Sequence, residues 1–373
     1  MKKQLLATAL VLATSTAFAT KARQKALGNS FHLSGTQTVY TSPYHLFSID
    51  NFVAVEAGLT TSTTVDNGAE ASGMFNVNEN SRLLMSVGHL DESVQTQRKF
   101  LNALAGVTAY KTQQNPIEAI YAWKADSVVY ALGLNYSDYK NKVTNEAESS
   151  TGVRVAASYG DFKWKLNTGL VNKATNTAGD TFDNQPYYNL GLRYQMNTIR
   201  FGFDYTGWTV KQTLSGATTA NQEHQFQGIN VRATDVQKVD KTEYFYGITL
   251  DQSTFKDKIA DKKFNRLTAP VLIGAETQAN DWLIIRGSVV QTVLLAQSKD
   301  EVGYPAAAVT GATGTVDGEF AAETNNTAVN VGAGLKFNKV QIDATLTGLS
   351  GATANQKVDT TNLMAQVGVV YKY

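Results

Sequence analysis

Four histidines, His32, His45, His89 and His224, are the residues to weigh first for catalysis or metal binding, and their spacing supports neither. They are scattered without ligand periodicity, and none sits beside an obvious Ser and Asp pair. His89, close to Asp91 and Glu92, is the one place where acid–base chemistry could be sought; a solvated histidine at a loop edge has the same local sequence. With no cysteine, thiolate metal sites and disulfides are excluded. Asp300-Glu301 reads as solvated loop charge, and Gly332 and Gly334 alternate on one strand face without a helix to present amides to phosphate. The expectation is therefore no enzyme, no metal and no cofactor. What remains is single charges placed at strand period: Arg154, Lys163, Lys165, Arg193 and Arg200 among the bases, and Glu56, Glu118 and Asp343 among the acids. Each stands opposite an apolar face.

Those faces define the elements. Val53, Val55, Ala57 and Leu59 share one side, as do Val128, Tyr130, Leu132, Leu134 and Tyr136. The same holds for Ile199, Phe201, Phe203 and Tyr205, for Val329, Val331, Ala333, Leu335 and Phe337, and for Val340, Ile342, Ala344 and Leu346. Their partners are Gly, Ser, Asn, Thr and charge, which suits a wet interior better than a second apolar core. A β-sandwich also alternates, but its strands are usually shorter than the 9 to 14 residues read here. Short spacers, such as Gly160-Asp161, Asn197-Thr198 and Asn338-Lys339, alternate with long ones at 62–69, 92–115, 140–150, 174–185, 211–224, 298–323 and 351–361. One-sided short turns are the mark of a transmembrane barrel. For both ends of the chain to fall on the short-turn side, the weak segment Phe226 to Asp235 must also be a strand, with a turn at 236–239 and an outer loop at 251–264. The count is about sixteen, between 14 and 18, in an all-β transmembrane antiparallel β-barrel over 50–373. Pro270 sits awkwardly inside one of these strands.

The remaining sequence agrees with export. Lys2 and Lys3, the apolar run Leu5 to Leu12 and Ala17-Phe18-Ala19 read as a signal peptide over 1–19, too short for a membrane helix, with a mature start at Thr20. Removing those two lysines leaves 31 Lys plus Arg against 32 Asp plus Glu, a net charge of about −1 that gives no reason to expect nucleic acid. Five prolines, 29 glycines and 33 Tyr plus Phe fit strands better than helices. Residues 20–49 form a separate N-terminal segment, periplasmic or luminal.

Signal peptide, amphipathic strands, short inner turns, long outer loops and an aromatic last strand together resemble Gram-negative outer-membrane porins over nearly all of 50–373. The resemblance implies a water-filled channel in the bacterial outer membrane, surrounded by its lipids. Through it ions and small hydrophilic solutes diffuse, often in a homotrimer. It also implies that the last strand, with Val367, Val369, Tyr371 and Tyr373, signals to the barrel-assembly machinery; the usual terminal residue is Phe, and Tyr373 departs from it. Arg23 to Leu46, with Leu27-Gly28-Asn29 and Ser42-Pro43-Tyr44, is also similar to the N-terminal segment of FadL-type transporters of hydrophobic compounds. There the segment folds into the lumen as a hatch, commonly with Asn-Pro-Ala, from which Ser42-Pro43-Tyr44 departs.

In a sixteen-strand ring the basic residues face Asp343, Glu56 and Glu118 across the lumen, Lys163 opposite Asp343, and such walls would orient dipolar solutes. Local pairing that merely keeps the lumen wet is the plainer reading of the same charges. The loop Glu92 to Asn115, with Arg98 and Lys99 ahead of the apolar Phe100-Leu101, is the candidate constriction; a surface helix or subunit contact fits it too.

Overall fold

The computed structural model describes residues 20–59, 69–104, 109–297, 326–350 and 364–373. The signal-peptide reading of 1–19, the long spacers around 62–68, 298–325 and 351–363, and residues 105–108 of the candidate constriction loop lie outside them. Sixteen antiparallel strands close into one barrel. They are β1 Phe52–Leu59, β2 Glu70–Asn78, β3 Ser81–Val87, β4 Ile117–Ala125, β5 Val128–Lys140, β6 Ala147–Tyr159, β7 Phe162–Thr175 and β8 Thr181–Met196. The second half comprises β9 Ile199–Thr213, β10 Gln222–Val239, β11 Thr242–Asp257, β12 Lys262–Gln278, β13 Leu283–Gln297, β14 Asn326–Phe337, β15 Val340–Ser350 and β16 Met364–Lys372. Each strand pairs with its sequence neighbours, and β16 closes the ring on β1 with Val55 opposite Val369.

The tight turns are built from residues that tolerate a left-handed backbone. Asp126, Asn197, Asp240, Asn338 and Gly160 all have φ between 52° and 56° and sit at the same end of the barrel. Tyr159, Phe162, Tyr194, Trp282, Phe337, Tyr371 and Tyr373 face outward near that end, and Trp123 stacks on Tyr121 and Tyr130 there. Above this aromatic girdle the outward positions are aliphatic, with Leu134, Val331 and Ile273 more than half exposed in the absence of lipid.

Three details of the sequence reading change. The weak strand at 226–235 is real but longer, so the expected turn at 236–239 is strand and the reversal falls at Asp240-Lys241. The expected outer loop at 251–264 is mostly the upper part of the β11–β12 hairpin, whose turn needs only 258–261. Pro270 keeps its place opposite Thr292 of β13, but the β11–β12 ladder skips Ala269 and Pro270, where the missing N–H would have been required.

The barrel is filled from both ends. Residues 20–51 run inside it as α1 Lys21–Ala26, α2 Thr38–Thr41 and a 3₁₀ turn at Pro43–Ser48. Near the short-turn end, Val39, Tyr40, Tyr44, Leu46 and Ile49 pack on inward Met74, Leu84, Ile120, Ala131 and Ala156. At the opposite end α3, Glu92–Asn102, lies against the inner faces of β7, β8 and β9.

Candidate functional site

The inserted N-terminal segment is tied to strands all around the ring. The Thr20 hydroxyl donates to Asp343 Oδ2 at 3.0 Å, and the Lys21 N–H donates to Glu56 Oε2 at 2.6 Å. Lys21 Nζ reaches Glu70 at 2.6 Å, while Arg23 forks onto Glu276 at 2.7 and 3.0 Å. Gln37 donates to both Glu56 and Glu70. Arg200 donates to the carbonyl of His32, and Arg82 to those of Leu46 and Ile49. Gly28, at φ 62°, lets the chain turn against Leu272, Val290 and Ser288, where a Cβ would lie 2.6 Å from Leu272. Burial and the neighbouring Lys163 and Arg200 push the His45 imidazole down to about 3. Its Nδ1 is enclosed without a hydrogen-bond partner among the described residues.

The second insert is held by two buried arginines. Asp91 caps α3 by accepting from the Ser93 N–H, and it also binds Arg154 at 2.6 Å. Burial pushes the Asp91 carboxyl up, but Arg154 and Ser93 outweigh it and hold it below the usual carboxylate range. From the helix, Arg98 donates to Glu148 at 3.2 Å, Asn172 at 2.8 Å and the carbonyls of Lys111 and Lys173. Burial lowers its guanidinium to about 10 despite Glu148. Two residues on, Phe100 enters an inward-facing aromatic cluster: its ring meets Trp208 at 5.2 Å and stacks near Phe255 at 6.1 Å, with Phe226, Phe264 and Phe182 completing the group.

The charges named from sequence all face inward, but none looks across an open lumen. Lys163 lies 5.5 Å from the Tyr44 ring and Asp343 is bound by Thr20 and Arg286, so the inserted segment stands between the expected pair. Arg154 and Glu118 are not on opposing walls; they meet at 2.5 Å from strands two apart, across Gly133, where a Cβ would crowd Arg154 at 3.3 Å. Arg193 forks onto Asp204 at 2.8 and 2.9 Å, and Lys165 stands 3.6 Å from the same carboxylate. Lys99 is partly buried beside Arg98 and Phe100. Val367, Val369, Tyr371 and Tyr373 point outward, and the Tyr373 hydroxyl donates to the Met74 carbonyl. Sequence reasoning missed Glu70, Asp91, Asp204, Glu276 and Arg286. Strand phase would have found Asp204, which shares parity with Arg200, and Arg286, which alternates with Ile285. His89 lies just past the end of β3 but is not solvated: it stacks on Tyr40 at 3.6 Å and binds Glu70 at 2.9 Å.

A closed ring with an aliphatic, girdled outside and a polar inner wall needs lipid around it and turns its polar face to the lumen. The chain folds as a closed sixteen-stranded β-barrel of the outer-membrane kind. It belongs in the bacterial outer membrane. No family model and no curated protein matches it. Among solved structures it is similar to a bacterial polysaccharide outer membrane secretin, at 9% identity over 87% of this chain and 98% of that one, TM-score 0.45. It is also similar to the outer membrane channel DcaP of Acinetobacter baumannii (8%, 87% and 95%, 0.42) and to the CymD monoaromatic hydrocarbon channel (11%, 94% and 96%, 0.40). With every one of these scores below 0.5, the likeness says nothing about cargo. Among the described residues no cluster of His, Asp and Glu has the makings of a metal site.

Proposed function

We propose that the barrel is a gated channel for small solutes with a substantial apolar part, shut at rest by residues 20–49. The observation that carries this reading is the inward cluster of Trp208, Phe226, Phe255 and Phe264 around Phe100. A permanently open aqueous pore keeps a polar lumen. Here part of the inner wall is aromatic, covered at rest by Phe100 of α3, and its rings would bind apolar or aromatic molecules by burial and stacking once that helix shifts. The seated N-terminal segment supports a closed resting state. Diffusion of small hydrophilic solutes is the second reading, favoured by the charged waist at Arg154, Lys165, Arg193 and Asp204. Liposome swelling and tryptophan fluorescence separate the two. The first predicts no swelling in small sugars for the intact barrel, swelling once residues 20–49 are deleted, and a fluorescence change on adding a monoaromatic probe that Trp208→Phe abolishes. Porin-like swelling of the intact barrel without probe binding overturns it.

A further inference from the structure

The buried end of the inserted segment rests in a cradle built for it. Glu56 of β1, Gly368 of β16 and Asp343 of β15 lie in one row across three paired strands, Gly368 being the register partner of both acids. A Cβ on Gly368 would lie 2.9 Å from the Thr20 Cβ, so the glycine is the space that Thr20 fills. Thr20 is fully buried there, its hydroxyl on Asp343 and the next amide on Glu56. Glu56 is otherwise held by neutral donors, Thr36 and Gln37. Of the four carboxylates here, Glu70, Glu276 and Asp343 pair with Lys21, Arg23 and Arg286, whereas Glu56 makes no ion pair among the described residues. Beside Asp343, Gln341 is 2% exposed and spends its amide on that carboxylate, leaving its own carbonyl oxygen without a donor among the described residues. One more positive group with several donors would complete the set.

We propose that the α-ammonium of a mature N-terminus at Thr20 is that group, so that cleavage of the chain creates the ligand that locks the lumen shut. The step is hydrolysis of the Ala19–Thr20 amide by a signal peptidase. Water adds across the bond, the carboxylate departs with Ala19, and the amine of Thr20 takes up a proton. That nitrogen is bonded to the same Cα whose hydroxyl arm touches Asp343 and whose following amide touches Glu56, so it is delivered between the two acids. An ammonium offers three donors where an amide offers one. A buried carboxylate without a cation is costly, so the ammonium and the row stabilise each other. Until the bond is cut Glu56 has only neutral donors, which ties closure of the lumen to completed export.

Amine labelling tests this on the intact protein. Mass spectrometry locates the N-terminus, and an amine-reactive acylating reagent is applied to the folded barrel and to heat-unfolded protein at the same pH. The expected result is a terminus at Thr20 that labels at least tenfold more slowly when folded. Gly368→Val, Asp343→Asn, and a two-residue insertion between Ala19 and Thr20 should each abolish most of that protection in barrels that still show heat-modifiable gel mobility. A different terminus, equal labelling of folded and unfolded protein, or full protection of the extended terminus overturns the proposal. Should the variants fail to fold, the wild-type comparison decides alone.

Discussion

Removing the Arg98 side chain should release α3 from the wall while leaving the barrel closed. Arg98 and Glu148 are both fully buried, and Glu148 also accepts from Ser137 at 2.5 Å and from the Gln114 N–H at 3.0 Å. Arg98→Ala strips the carboxylate of its only ion-pair partner among the described residues and leaves Asn172 and two carbonyls without their donor. Breaking a buried pair from one side costs about 3–5 kcal/mol. At about 1.4 kcal/mol per tenfold, the released population should rise by roughly two to three and a half orders of magnitude. The strand ladders do not include α3, so the penalty falls on the helix. Because the chain has no cysteine, a single reporter is clean. Gln95 is the position to use, since it is buried on α3 and neither amide atom of its side chain has a hydrogen-bond partner among the described residues. Maleimide labelling of Gln95→Cys should accelerate at least a hundredfold when Arg98→Ala is added. Arg98→Met with Glu148→Met should recover most of the protection, because an apolar pair leaves no stranded charge. Acceleration of less than threefold, or a double variant as open as the single one, would refute the clamp.

Acid should loosen the N-terminal segment. The seated His45 has its imidazole lowered to about 3, below the ordinary 6.5, so its contribution to seating is complete above about pH 6.5 and declines as pH falls towards 3. At pH 5 the loss is about 2 kcal/mol at most, since the ring keeps some solvent contact; trypsin cleavage after Lys21 and Arg23 should quicken between pH 7 and 5, and His45→Gln should flatten that response. On the lipid face, Val331→Arg should cost about 2–4 kcal/mol in a bilayer unfolding titration, whereas Asn330→Ser, one residue away on the inner wall, should cost far less. Equal losses at the two positions would mean that the inside–outside assignment of β14 is wrong.

How much was legible in the sequence depended on which solvent each face meets. Within the membrane the outward residues are apolar and the inward ones polar, so alternation gave the strand phase, and the need for both chain ends on the short-turn side gave the weak β10. Above the membrane the contrast inverts. In β11, Gln252, Thr254 and Lys256 point out into water while Ser253 and Phe255 point in, and a reading that expects greasy residues outside stops at Leu250. That inversion hid the upper β11–β12 hairpin and the aromatic cluster together. Charge pairing was illegible for another reason. Arg154 meets Glu118 because Gly133 on the strand between them leaves room, and Lys163 misses Asp343 because Tyr44 and Thr20 intervene. Phase tells which side of the wall a residue is on, but not what fills the space beyond it.

The ties of the N-terminal segment imply that it does not leave the lumen as one piece. Its first part, Thr20 to Leu33, is held by charge, with Lys21 on Glu70, Arg23 on Glu276 and Arg200 on the His32 carbonyl, and by a smaller apolar cluster of Leu27 and Leu33 on Phe245. Water entering the lumen can solvate both members of such pairs, so their rupture is partly compensated. The later part buries Val39, Tyr40, Tyr44, Leu46 and Ile49 against apolar wall, and each such side chain exposed to water costs roughly 1.5–3 kcal/mol with nothing to replace it. It is also tethered to β1 through Phe52, itself fully buried. Gly35, between the two parts, is the natural place for the chain to bend. The movable element is therefore Thr20 to Leu33, and the remainder is a fixed collar. Hydrogen exchange on the reconstituted barrel should show amides of 21–33 exchanging at least tenfold faster than those of 39–49, with the gap widening in high salt, which weakens ion pairs and strengthens apolar burial. Uniform exchange across 21–49 would mean that the segment moves as a single plug.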